Sequence, residues 1–296
     1  MNSGMNDLPK KLEMQILKIV ERNYYRTGNP IGVKIGQLAI NESNRKSKTI
    51  LYTGQSYQLM PYTLRLLKIM DKVGKLERFI GVFSNLGFSR FLFPQEEKRF
   101  NLAIKGAVNA LKIANVKFRM LSNEPYDGAI FYDLGLDDVV DKIEKKIRTV
   151  FENNGVETVI TISPHSCYML KKVYNLDVDV KHIYEVISGK VKSEKKAVIH
   201  DPCVLARKLG IVSQVRSVFN AVEPENSGKF TSCCGGPVEV LFPQLSLQIA
   251  KSRGNELLKT GVKRIATACP ICLMNFLRCN FDANDILSFF GDTNGI

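Results

Sequence analysis

A repeated segment constrains the fold of this chain more than any other feature. NNGVETVITISPHSCYMLKKVY (153–174) and KTGVKRIATACPICLMNFLR (259–278) follow one plan. In each, a helix ends at Gly-Val, an apolar strand follows, and a proline-containing turn leads into another helix. Strands buried between helices, twice over, argue against an all-helical bundle and an all-β sandwich. The expected fold class is α/β, with two tandem pseudo-symmetric, Rossmann-like units on mainly parallel sheets. A chain of 296 residues has room for both.

The flanking segments extend this alternation. LPKKLEMQILKIVERNYY carries Leu12, Ile16, Ile19 and Val20 at helical spacing and stops at RTGNPIG. NESNRKSK (41–48) is polar and turn-like, so residues 1–48 are expected to form an N-terminal helical arm and linker. The first unit is expected over 49–190. It opens with a buried strand, TILYT (49–53), and a helix through Leu64, Leu67 and Met70. FIGVFS (79–84) is a second apolar run, residues 97–113 have helical periodicity, and KFRML (117–121) reads as another strand. LDDVVDKIEKKIRTVFENNG (136–155) is an amphipathic helix with a Gly cap, and ETVITI (157–162) is the next strand. The second unit, expected over 191–296, has strands at KAVIHD (196–201) and VKRIATA (262–268) and a helix over 241–261.

The seven cysteines are Cys167, Cys203, Cys233, Cys234, Cys269, Cys272 and Cys279. An odd number without a secretory signal argues against a disulfide framework. Five form a spaced pattern: Asp-Pro-Cys203, 29 residues, Cys233-Cys234-Gly-Gly, 34 residues, and Cys269-Pro-Ile-Cys272. Each is expected at the C-terminal edge of a strand or in the loop after it, where open α/β sheets gather their sites. Thiolates are soft ligands that suit Fe–S clusters or zinc. Gly235 and Gly236 let the backbone turn close to the sulfurs and offer N–H donors to an anionic cluster. Pro270 opens a helix whose N-terminus would stabilise the thiolates of Cys269 and Cys272. Structural zinc on four thiolates is the alternative, although zinc rarely needs a fifth cysteine or an adjacent doublet.

The motifs His-Asp-Pro-Cys203, Ser-Cys233-Cys234-Gly-Gly-Pro and Thr-Ala-Cys269-Pro-Ile-Cys272 resemble the cysteine-rich CCG domain found in the B-type and D-type subunits of heterodisulfide reductase and in related Fe–S oxidoreductases. The resemblance covers most of the chain, because members usually carry two such domains in tandem. It implies a [4Fe–4S] cluster on Cys203, Cys233, Cys234, Cys269 and Cys272, non-cubane as in the B-type proteins or else cubane. It also implies a redox subunit of a heterodisulfide-reductase-like complex that couples electron transfer to thiol or disulfide chemistry, with soluble sulfur-oxidising complexes as the preferred setting. The implied partners are a separate ferredoxin-type protein (C-like), a flavoprotein (A-like), and a thiol, disulfide or sulfur-carrier substrate. Related proteins also serve as electron-transfer subunits of lactate, glycolate or succinate oxidoreductases. A non-enzymatic scaffold with structural zinc is the third reading.

The first copy departs from that pattern. Gly54-Gln55 stands for Gly-Cys, Tyr126-Asp127-Gly128-Ala129 for Cys-Cys-Gly-Ala, and Ser-Pro-His-Ser-Cys167 at the CxxC position. With one possible ligand left, no cluster is expected there. The 70 residues between Gln55 and Tyr126, against 29 in the second copy, imply an insertion. The candidate catalytic residues are His165, Cys167 and His200. Cys167 beside His165 reads either as a nucleophilic or persulfide-carrying thiol or as a buried relic. His200-Asp201 reads either as a proton donor to a substrate sulfur or as a pair that orients its loop. Cys279 is expected to pack in the core.

The formal net charge is +13, and the first 48 residues hold 9 Lys/Arg against 4 Asp/Glu. No RNP-like aromatic pattern, helix-turn-helix signal or Cys-Cys-His-His spacing accompanies it, so nucleic acid is not an expected partner. The basic arm reads instead as a docking element for another protein of the complex. No apolar run approaches the roughly 18 residues that cross a bilayer. MNSGMNDLPKKLEM lacks the apolar core of a secretory signal, so a cytoplasmic protein is expected.

Overall fold

The protein is known from a computed structural model, which describes residues 10–36, 46–73 and 94–291. The apolar run at 79–84 and most of the 41–48 linker lie outside the described residues. In chain order the first half comprises α1 (Lys10–Thr27), β1 (Thr49–Tyr52), α2 (Ser56–Val73), α3 (Glu97–Ile113), α4 (Ala129–Asp133), α5 (Asp137–Asn153), β2 (Thr158–Thr161), α6 (Pro164–Tyr168), β3 (Asp179–His182) and α7 (Ile183–Ile187). The second half comprises β4 (Ser193–His200), α8 (Ser213–Arg216), β5 (Phe219–Val222), α9 (Pro243–Leu258), β6 (Ile265–Thr267), α10 (Pro270–Arg278) and β7 (Ala283–Asp285).

Every named strand pair is parallel. One sheet has the order β1-β2-β3 and the other β5-β4-β6-β7. This is the α/β class with parallel sheets that the repeat implies. The repeated segments occupy equivalent places: β2 ends at Thr161 and α6 starts at Pro164, while β6 ends at Thr267 and α10 starts at Pro270. Proline at the first helical position suits both starts, since its missing N–H would have no partner there.

KFRML does not form a strand. Arg119 makes a single parallel bridge to Ile50, through Leu51 N–H to Arg119 O (2.9 Å) and Arg119 N–H to Thr49 O (3.1 Å). The chain then turns at Ser122–Asn123, and the Glu124 carboxylate takes the N–H of Thr53 (2.9 Å) that a longer ladder would have used.

Helix α5 places Val139, Val140, Ile143, Ile147 and Phe151 on one buried stripe, each large side chain contributing roughly 1.5–3 kcal/mol by leaving water. Helix α1 packs Val20 and Tyr24 against the same core, and the rings of Tyr24 and Phe131 meet edge-on at 5.4 Å. Helix α3 lies within the long spacing of the first half, yet it packs on the C-terminal turn of the second. Asn109 donates to Phe290 O (3.0 Å) and Arg99 to Ala283 O (2.9 Å). One continuous core therefore runs from Leu51 and Leu64 through α3 to Ile265 and Leu287.

Candidate metal centre

Three loops bring the five patterned thiols together. Cys203 follows β4 and leads into a π turn over Val204–Lys208, a distortion common beside functional sites. Cys233 and Cys234 precede a tight turn in which Gly235 adopts φ 91°, and a side chain there would strike Ser246 O at 2.5 Å. Cys269 ends the segment after β6, and Cys272 sits in the first turn of α10. The Sγ atoms of Cys234 and Cys272 are 3.0 Å apart. The thiols of Cys203 and Cys233, Cys233 and Cys234, and Cys269 and Cys272 also shift one another's acidity, which links all five free thiols in one chain of neighbours. Gly235 N–H points at the Cys233 sulfur at 3.3 Å. A Cβ on Gly236 would lie 2.4 Å from Ile271, so only glycine lets the doublet approach the Cys-Pro-Ile-Cys turn.

The loops are tied by buried charge. Arg216 grips both carboxylate oxygens of Asp201, which also accepts Gly228 N–H at 2.6 Å, and these bonds hold Asp201 below the usual carboxylate range against the pull of burial. Thr231 donates to Asp201 O at 3.0 Å, joining the Cys203 loop to the stretch of chain that carries the doublet. Arg253, itself 1% exposed, donates to His200 Nδ1 at 3.2 Å and to Asn226 O at 2.8 Å. His200 and Asp201 thus orient the loops around the thiols.

The electrostatics call for a cation. Two thiolates 3.0 Å apart repel by about 5 kcal/mol even at an effective dielectric of ~20. Their acidities accordingly split. Hydrogen bonds from Cys233 and Cys272 pull Cys234 down to about 6. Burial and its two anionic neighbours push Cys272 well up. Burial opposes ionisation of Cys269, yet bonds from Cys272 and His165 hold it well below the ordinary thiol value.

His200 supplies a further mark of an absent group. Burial and Arg253 lower its pKa to about 3, so the ring is neutral. With Nδ1 accepting from Arg253, the proton sits on Nε2, and that atom has no partner among the described residues. A ring nitrogen of His200 and the sulfurs of Cys234 and Cys272 lie within 4.8 Å of one another. Two thiols and a buried histidine nitrogen within 4.8 Å of one another, with the other three thiols linked to them, fit a thiolate-held metal cluster.

His165 is the one candidate that crosses between halves. It stands in the first turn of α6, where α10 has Ile271, and its Nδ1 lies 3.9 Å from the Cys269 sulfur. Burial works against its protonation, but Cys269, Asp133 and Asp127 outweigh it and raise the pKa to about 9.

Cys167 is not brought to the site. Matching Pro164 to Pro270 sets Ser163 opposite Cys269 and Ser166 opposite Cys272, which leaves Cys167 one position beyond the ligand register. Its thiol is fully buried in the first core, and burial pushes its pKa up to about 11, the state of a packed thiol rather than a nucleophile. In the first half Asp127 accepts from Ser166 Oγ (2.5 Å), Ser56 Oγ (3.1 Å) and Ala129 N (3.0 Å). Cys279 contacts Leu247 O at the far end of α10.

Residues 197–277 match the cysteine-rich CCG domain family. The second half carries a CCG domain. Over longer stretches the chain is similar to an iron–sulfur protein of Methanocaldococcus jannaschii, with 30% identity across 57% of this chain and 36% of that protein. It is 28% identical to the EtfAB:quinone oxidoreductase of Syntrophomonas wolfei, across 60% of this chain and 29% of that one. It is 24% identical to the D-type subunit of the dihydromethanophenazine:CoB–CoM heterodisulfide reductase of Methanosarcina barkeri, across 61% and 52%. The alignments thus reach beyond the CCG domain but span only about a third to a half of these relatives. No helix among the described residues is long and apolar enough to cross a membrane.

Proposed function

We propose that the CCG domain holds an iron–sulfur cluster on Cys203, Cys233, Cys234, Cys269 and Cys272, and that the chain is a redox subunit of a heterodisulfide-reductase-like assembly. The observation that carries this reading is the convergence of five thiols from three loops, beside an unpartnered His200 N–H. Five sulfurs exceed what structural zinc uses, and the similar proteins include iron–sulfur proteins and oxidoreductase subunits.

A [4Fe–4S] cluster on this set, in the non-cubane form, would supply one-electron chemistry at sulfur-bound iron. The chain's own groups have definite tasks around it. Gly235 N–H and His200 Nε2–H present donors toward the sulfurs. His165 places a third donor beside Cys269. Cys203 and Cys233 are the two half-exposed members of the set, so thiol or disulfide substrates reach the centre from their side. The ferredoxin-type and flavoprotein components of such assemblies are the proposed electron partners, with the basic N-terminal segment as the docking element.

Iron and acid-labile sulfide measured on anaerobically prepared protein, with EPR, test the assignment. Cys234→Ser is expected to lose most of the iron or change the spectrum. Unchanged iron content and spectra in that variant, or zinc without iron in the parent protein, would refute it.

A further inference from the structure

A cavity of about 170 Å³ opens between α1, α2 and α4. Ile16 and Val20 of α1, Met60 and Leu67 of α2, Ile130 of α4 and Ile271 of α10 wall it. Ile271 joins that wall to the candidate metal centre, because it stands between Cys269 and Cys272 in the chain and packs against Gly236.

One buried polar group on the wall of this apolar space is unpaired, with its oxygen beside Gly236. Glu239 lines the cavity, is 5% exposed, and its Oε2 has no hydrogen-bond partner among the described residues. The other buried polar side chains at the walls have partners within the protein. Asn23 donates to Pro30 O, Thr63 to Leu59 O and Ser56 to Asp127, while Asp133 lies exposed to solvent. A lone buried carboxyl oxygen in apolar surroundings is costly unless something pairs with it. Water alone is a poor occupant, because a buried water needs two or more polar partners.

We propose that this cavity binds a compact apolar molecule bearing one hydroxyl group, with its body between α1 and α2 and its hydroxyl on Glu239 Oε2. The size argues for a single ring or a short chain, since an aliphatic cavity of roughly 150 Å³ takes one benzene. A hydroxyl both donates and accepts, so it satisfies the carboxyl group whether that group is charged or neutral. A molecule seated there lies against Ile271, with only that side chain between it and the Cys-Pro-Ile-Cys turn. Binding of this kind does not depend on which metal the thiols hold, so its failure would leave the iron assignment untouched.

Calorimetric titration of the full-length, metal-loaded protein with 4-ethylphenol and ethylbenzene tests the site. The phenol is expected to bind about tenfold more tightly, the discrimination that one buried hydrogen bond supplies. Glu239→Leu should erase that preference while keeping ethylbenzene binding, and Leu67→Trp should abolish both. Glu239→Met, similar in length but without the carboxyl group, stands in if the leucine variant does not fold, and should likewise erase the preference. A third titration with 1-hexanol separates ring from chain, and either order of affinity between it and the phenol supports a hydroxyl-directed site. Absence of binding by all three compounds, or a preference unchanged in the Glu239 variants, would overturn the proposal.

Discussion

Replacing His165 by leucine should lower the reduction potential of the iron–sulfur centre proposed for the second half. His165 comes from the first half and sets its Nδ1 3.9 Å from the Cys269 sulfur. An N–H or a positive charge there favours the more negative, reduced state, so its loss moves the potential down. The size of the shift separates two mechanisms. A hydrogen bond this long from a neutral ring is worth about 1 kcal/mol, or about 45 mV for a one-electron couple. A full imidazolium charge at that separation contributes about 4 kcal/mol at an effective dielectric of ~20, or about 180 mV. EPR-monitored redox titration of the anaerobic protein measures it. His165→Gln, which keeps an N–H donor but no charge, should recover the parental potential if the hydrogen bond dominates and little of it if the charge does. A potential within about 10 mV of the parent in His165→Leu, or a shift upward, refutes the reasoning.

Two further outcomes concern the frame around the site. Glu124 and Asp285 both have folded pKa values raised to about 7 by burial. The folded state therefore holds more protons than the unfolded one between the ordinary carboxylate range and pH 7. Stability should fall as pH rises through that window, by at most about 1.4 kcal/mol per pH unit per group, and urea midpoints at pH 5.5 and 7.5 should converge in Glu124→Gln. Arg278, with a fully buried side chain, binds both oxygens of Asp71 at 2.8 and 2.6 Å and joins α10 to α2. Asp71→Asn leaves that cation without its partner and should cost about 3 kcal/mol; adding Arg278→Met should recover much of it, as urea unfolding would show.

How far the sequence speaks depends on whether the information is local. The helix at 97–113 and the amphipathic helix at 137–153 are legible because period and caps lie within the segment. β4 begins at Ser193, before the expected Lys196, because the charged residues Glu194 to Lys196 mask a strand edge that faces solvent. KFRML has the composition of a strand, but the Ser122–Asn123 turn and the Glu124 carboxylate limit it to one bridge. The five thiols are legible as a set because their spacing follows strand ends. Cys167 falls outside that logic, because the proline after each strand, rather than the cysteine itself, sets the register. The contact of His165 with Cys269 spans 104 residues, and the carboxyl group of Glu239 reads in sequence as an ordinary solvated acid.

The unequal halves have a physical logic. A site that loses its cluster leaves a hollow lined by anionic or polar groups, and an unpaired polar hollow is destabilising. Here Ser56 and Ser166 both donate to Asp127, so those buried polar groups satisfy one another. The first half also supports its neighbour. Helix α3 packs on the C-terminal turn of the second half, and Tyr57 of α2 donates to Asp285 at 2.7 Å. The α6 turn that in a cluster-bearing copy would present ligands instead directs His165 toward the other copy's cysteines. The second half has no such substitution: its sulfurs crowd to 3.0 Å and His200 Nε2 stays unpaired. The first half thus carries an internal hydrogen-bond network and a supporting face, while the second gathers thiols whose closest pair shares a hydrogen bond at 3.0 Å beside an unpaired His200 nitrogen.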